Sequence, residues 1–212
     1  MKTILTLMAL ISTVQILSAQ GRMTFRNDSL TLISAGGALT PVRGTQEFIF
    51  AIFLADPSTV STAGITPALN DPNFQVVDPD AYTTNSLFTP GRITPRDELY
   101  IGAVQGYSTG STVDFIVRGW SANAGYTWAE SLANWNNGVP LVSMYIGSST
   151  VGDNIMLLGG LAPNDPIFGF TSYKIQGFDM AFVPEPSVAA IMLGGCALFW
   201  KIRRRQRHRL TK

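Results

Sequence analysis

The chain has 212 residues, 46% hydrophobic and only 14% charged, with a formal net charge of +1, one Cys and one His. That near-neutrality is composite: residues 20–183 carry seven basic against thirteen acidic side chains, a net of −6, and the offsetting positive charge lies in the last twelve residues. An acidic body lacks the clustered Lys and Arg that a nucleic-acid or anionic-membrane surface requires.

Cysteine and histidine narrow the chemistry further. Cys196 and His208 both lie near the C-terminus, so residues 20–183 contain neither. A body so composed has no Ser-His-Asp triad, no thiolate nucleophile, no typical zinc site and no structural disulfide. No cofactor is expected.

In chain order, Met1-Lys2, an apolar run from Ile4 to Leu17 and Ser18-Ala19 before Gln20 form a secretory signal peptide over residues 1–19, with cleavage between Ala19 and Gln20. Residues 20–183 then suffice for one extracytoplasmic domain with a hydrophobic core. Edge strands are expected at Thr24-Phe25-Arg26 and from Ser29 to Ile33. Further strands are expected at Glu47–Leu54, Leu99–Val104, Thr112–Arg118, Leu141–Ile146 and Tyr173–Met180. These segments are β-branched or aromatic and are bounded by Gly, Pro, Asn, Asp and Ser. The proline-rich stretch from Pro57 to Pro95 reads as loop, with a short strand over Phe74–Val77. Val113, Phe115 and Val117 alternate with Asp114, Ile116 and Arg118, the pattern of an antiparallel sheet with one wet face. The fold class is therefore all-β: an antiparallel β-sandwich, Ig-like or jelly-roll in layout, with one short helix.

That helix falls between Tyr126 and Trp135, where Trp128, Leu132 and Trp135 recur at i, i+4 and i+7 and place two indoles on one face. Two readings follow. Tyr126, Trp128 and Trp135 form a carbohydrate-stacking platform, or the helix caps an open end of the sheet with its indoles buried; Trp120, closing the Thr112 strand, belongs to the core. A carboxylate glycosidase would need two acids across a cleft, and Asp78 with Asp80, Asp97 with Glu98, or Glu130 with a distant partner are the candidates. Calcium could draw oxygen ligands from Asp71, Asp78 and Asp80, from Asp153-Asn154 or from Asn164-Asp165, but none follows a Ca-loop spacing, and no metal site is expected. Asn27-Asp28-Ser29 fits the N-glycosylation triplet.

The C-terminus carries the most specific signal. Val183-Pro184-Glu185-Pro186-Ser187 precedes thirteen uncharged residues from Val188 to Trp200, and six Lys and Arg follow between Lys201 and Arg209. Thirteen helical residues span about 20 Å, short of the roughly 30 Å hydrocarbon core; extending the helix over 187–202 and letting Lys201 and Arg203 snorkel makes a thin but viable span. The positive stop at Lys201, Arg203, Arg204 and Arg205, within the basic tail 201–212, fixes that end in the cytoplasm and the body outside. Pro184 and Pro186 cannot donate backbone hydrogen bonds and bias their predecessors to extended geometry, so Pro184-Glu185-Pro186 suits a processing enzyme as a substrate.

These three parts, over about residues 183–209, resemble the PEP-CTERM sorting signal. The resemblance implies cutting near Pro184-Glu185-Pro186 by an exosortase, a membrane-embedded cysteine protease of exopolysaccharide-producing Gram-negative bacteria, with residues 184–212 as the signal. The partners so implied are the secretion machinery, the inner membrane transiently, the exosortase, and exopolysaccharide at the destination. The expected product is an exported, non-catalytic surface or extracellular-matrix protein. A carbohydrate-binding module is the second reading and a glycosidase the third.

Overall fold

A computed structural model of the chain describes residues 22–59, 64–76, 82–100, 107, 110–138, 144–157, 166–171 and 173–182. The signal peptide with its Ala19-Gln20 junction, the Pro184-Glu185-Pro186 motif, the segment 187–202 and the basic tail lie outside the described residues. Among those described, no helix is long and apolar enough to cross a membrane.

The protein is all-β with a single α-helix among the described residues. Its centre is the antiparallel pair β4 (Phe48–Ala55) and β8 (Thr112–Ser121), registered from Phe48↔Ser121 to Ala55↔Asp114. Every residue of β4 is buried. Period-two alternation divides them: Phe48, Phe50, Ile52 and Leu54 join Val113, Phe115 and Val117 in one cluster, while Ile49, Ala51, Phe53 and Ala55 join Ile116 and Trp120 in another. The sheet thus carries a hydrophobic core on both faces.

Both outer edges of this pair are shared by two short strands. β6 (Thr83–Thr84) and β5 (Gln75–Val76) line the free edge of β4, the first beside Ile49-Phe50 and the second beside Phe53-Leu54. β9 (Tyr145–Ser148) lies along Arg118–Trp120 and β10 (Gly152–Met156) along Thr112–Phe115. From β9 the sheet continues through β11 (Asp179–Phe182) and β2 (Ser34–Ala35) to β3 (Ala38–Leu39). The β11–β2 pairing is parallel, so the sheet is mixed.

Different elements cover the two faces. On the first, a ribbon of β1 (Arg22–Phe25) and β7 (Arg96–Tyr100) delivers Met23 and Phe25, with Phe25 stacked on Phe168 at 6.4 Å between ring centroids. On the second, a 3₁₀ turn (Ala122–Ala124) leads into α1 (Trp128–Asn136), joined by Phe74 and the half-buried Leu69 and Tyr82. Two buried asparagines tie loops to this frame with all their amide groups used. Asn85 accepts from Phe48 N and donates to Pro41 O and Gln46 O; Asn27 accepts from Ile93 N and donates to Thr31 O and Gly91 O. Gly177 is required by close approach, because a Cβ there would lie 1.8 Å from the Leu32 carbonyl oxygen.

Several expectations need correction. The wet face read from Asp114 and Arg118 does not exist, since both are almost fully buried. Ser29–Ile33 is a turn instead of an edge strand: Asp28 Oδ1 accepts from Leu30 N, Thr31 N and Thr31 Oγ1, satisfying that backbone locally. These bonds, led by that of Leu30 N–H, hold the Asp28 carboxyl below its ordinary pKa. The strand expected over Tyr173–Met180 begins later, at Asp179, and runs to Phe182.

Candidate functional site

The helix carries the residues proposed as a sugar platform, and its start is locally encoded. Thr127 is the N-cap, its hydroxyl accepting from Glu130 N at 3.3 Å, while the Glu130 carboxylate accepts from Thr127 N at 3.1 Å and Tyr126 N at 2.9 Å. This capping box commits Glu130 to structure. The structure separates the three aromatic candidates. Tyr126 is exposed, Trp135 is half-buried against the second cluster, and Trp128 is 7% exposed, with its ring edge-on to Phe53 and Trp120 at 5.6 and 5.5 Å between centroids. Trp128 offers no open face to a ligand. Trp128 is buried as the second reading of this helix expects, but Trp135 is only half-buried, and the helix covers the second face of the sheet instead of an open end.

Beneath the helix lies a buried cation. Arg118 is 2% exposed, and its guanidinium carbon stands 4.5 Å from the centre of the Phe53 ring and 4.8 Å from that of Trp128. Nη2 donates to Ala68 O at 3.2 Å, whereas Nε is buried without a hydrogen-bond partner. Burial lowers its pKa to about 10, opposed by the charge of Asp71, so it stays protonated at neutral pH. Aromatic faces substitute for lost water, which is why a planar guanidinium and not an ammonium fits here.

An acidic group occupies the end of β4 and β8. Asp114 is 1% exposed; its Oδ1 accepts from Asn154 N at 2.8 Å, and the Asp153 carboxyl is close enough to act on it. Asp153 in turn accepts from the Asn154 side chain. Asn154 sits at φ 52°, the left-handed region that lets the β10 bulge present its N–H to Asp114. Burial pushes the Asp114 carboxyl above its ordinary pKa; the Asn154 N–H opposes this, and Asp153 and Asp56 reinforce it.

At the same end of the β4–β8 pair opens a cleft of about 520 Å³ lined by Leu54, Asp56, Thr59, Pro72, Asn73, Gln75 and Tyr107. Asp56 caps the turn that leaves β4, its Oδ1 accepting from Ser58 N at 2.8 Å and Ser58 Oγ at 2.7 Å. Asp71 similarly caps the turn into β5 through Asn73 N at 3.0 Å. Burial raises the pKa of the Tyr107 hydroxyl, and the Asp56 charge adds to this. The sequence reading missed the cleft because its residues come from three separate segments of the chain; the turn chemistry of Asp56-Pro57-Ser58 and Asp71-Pro72-Asn73 is the signal it left.

The remaining candidates stand apart. Asp78, Asp80, Asn164 and Asp165 lie outside the described residues, and Asp97 and Glu98 belong to β7. Among the described residues no group of three His, Cys, Asp or Glu converges as a metal site. Asn27 of the glycosylation triplet is 5% exposed with its amide engaged, so the folded chain does not present it. No protein-family model, curated protein or solved structure matches the chain.

Proposed function

We propose that the chain is an exported, non-catalytic surface or extracellular-matrix protein. Its C-terminal segment parks it in the inner membrane until an exosortase cuts near Pro184-Glu185-Pro186. The observation that carries this reading is the order of parts in residues 183–209: the proline-flanked Glu185, thirteen uncharged residues, then the arginine stop. The body supports it through its negative charge and its sheet architecture, in which the β1–β7 ribbon laid across the first cluster is read as the second layer of a sandwich. Pro184 comes two residues after the end of β11 at Phe182, so a cut at the motif spares every described strand.

The test is to delete residues 184–186, or to replace Glu185, in a host that carries an exosortase. The uncut protein should then accumulate in the inner membrane and disappear from the cell surface. Unchanged surface delivery of the deletion variant would refute the reading.

A further inference from the structure

We propose that the cleft between the β4 exit turn and the β5 entry turn is a saccharide-binding site, and that it accepts uncharged sugar units while rejecting acidic ones. The inference stands on the chemistry of the cleft alone and does not depend on the sorting tail. Its volume of about 520 Å³ lies within the roughly 300–1,000 Å³ of small-ligand sites, and it opens at the surface.

The lining is amphipathic in the way a sugar ring is. Pro72 and the half-buried Tyr107 ring supply an apolar patch for the C–H face of a pyranose, over a floor closed by the buried Leu54. Around it stand the carboxamides of Asn73 and Gln75, the Asp56 carboxylate and the Thr59 hydroxyl. A carboxylate or carboxamide matches a vicinal diol, because two adjacent hydroxyls each donate and accept. Both hydrogen bonds to Asp56 from described residues fall on Oδ1, which leaves Oδ2 as an acceptor for the cleft. Thr59 Oγ1 already donates to Asp56 O at 2.7 Å and so contributes lone pairs.

The site is preformed. Each turn is fixed by its own aspartate cap and anchored by a buried neighbour, Ala55 on one side and Phe74 on the other, so little ordering accompanies binding. Selectivity follows from charge. Asp56 lies in the cleft, its field reaches Asp114 in the neighbouring acid pair with Asp153, and no Lys or Arg is among the described lining residues. A uronate or sulfated sugar would bring a like charge into this field.

The experiment is calorimetric titration of the full-length chain, held in a polyoxyethylene detergent whose headgroup is not a sugar. The probes are cellobiose, maltotriose and chitobiose as uncharged saccharides, with oligogalacturonate and oligoalginate as acidic ones. At least one uncharged probe should bind. Asn73→Ala should weaken it at least tenfold without loss of fold, since the Asn73 side chain is exposed and the bond to Asp71 that holds the turn comes from its backbone N–H. Tyr126→Ala and Trp135→Ala, on the helix, should leave the affinity within twofold. Asp56→Asn, which keeps an acceptor for Ser58 and removes the charge, should narrow the gap between uncharged and acidic probes. Four results would each overturn the assignment: no uncharged probe binds, Asn73→Ala binds as the parent does, the helix variants abolish binding, or the acidic probes bind more tightly than the uncharged ones. Loss of affinity confined to Asn73→Ala supports it.

Discussion

The two faces of the central β4–β8 pair are built on different principles. The first is closed by apolar side chains throughout: Phe48, Phe50, Ile52 and Leu54 pack with Phe115, Val117, Met23 and Phe25. The second uses the alternate residues of the same strands, yet it buries Arg118 among Phe53 and Trp128 and Asp114 beside Asp153. One face is thus held by dispersion and water exclusion, the other by these and by charged groups whose lost hydration is only partly replaced. The lesson is that a polar residue at alternate positions of a strand marks a solvent face only if nothing covers it. Here a helix and the Leu69–Phe74 segment do.

The largest expected effect tests whether both faces are true cores. Phe115→Ala on the first and Trp120→Ala on the second should each destabilise the protein by about 4 kcal/mol, as truncation of a fully buried aromatic does. Trp120 adds the loss of its Nε1 bond to Gly125 O. Chemical denaturation of both variants checks this; a Trp120→Ala cost below about 1 kcal/mol would mean that the second face is only an appendage. Arg118 sharpens the contrast. Arg118→Ala should cost about 3 kcal/mol through the cavity between two rings, whereas Arg118→Met, which fills that space without a buried charge, should fall within about 1 kcal/mol of the parent or exceed it. A loss for Met as large as that for Ala would show that the guanidinium itself holds Ala68 and the strap around it.

The smallest effect is the pH dependence of the second face. Asp114 binds its proton more tightly folded than unfolded, because its pKa is raised by burial first and by Asp153 and Asp56 next. Its contribution is therefore complete below the ordinary carboxylate range and is lost as pH rises through the raised folded-state pKa. Melting temperature should decline across that window, and Asp114→Asn, which still accepts from Asn154 N, should flatten the decline. An unchanged slope would remove Asp114 as its origin.

Much of this fold was legible in the chain. The apolar runs of β4 and β8, the helix announced by Trp128, Leu132 and Trp135, and Trp120 as core all follow from local periodicity. Two-residue strands such as β2, β3 and β6 left no periodic signal, because their register is set by the strands beside them instead of by their own sequence. Burial of Asp114 and Arg118 was hidden for a related reason: their partners, Asn154, Phe53 and Trp128, are distant in sequence. The cleft was illegible because no single segment carries it, whereas the proposed sorting tail could be read because its physics is contained in one contiguous run.

The central claim is that residues 1–19 and the C-terminal signal are both removed on the way to the surface. Mass spectrometry of the mature termini, on protein recovered from the exterior of the native host, tests it most directly. The account predicts an N-terminus at or within two residues of Gln20 and no peptide extending past Ser187. Peptides containing Trp200 in that extracellular form would contradict it.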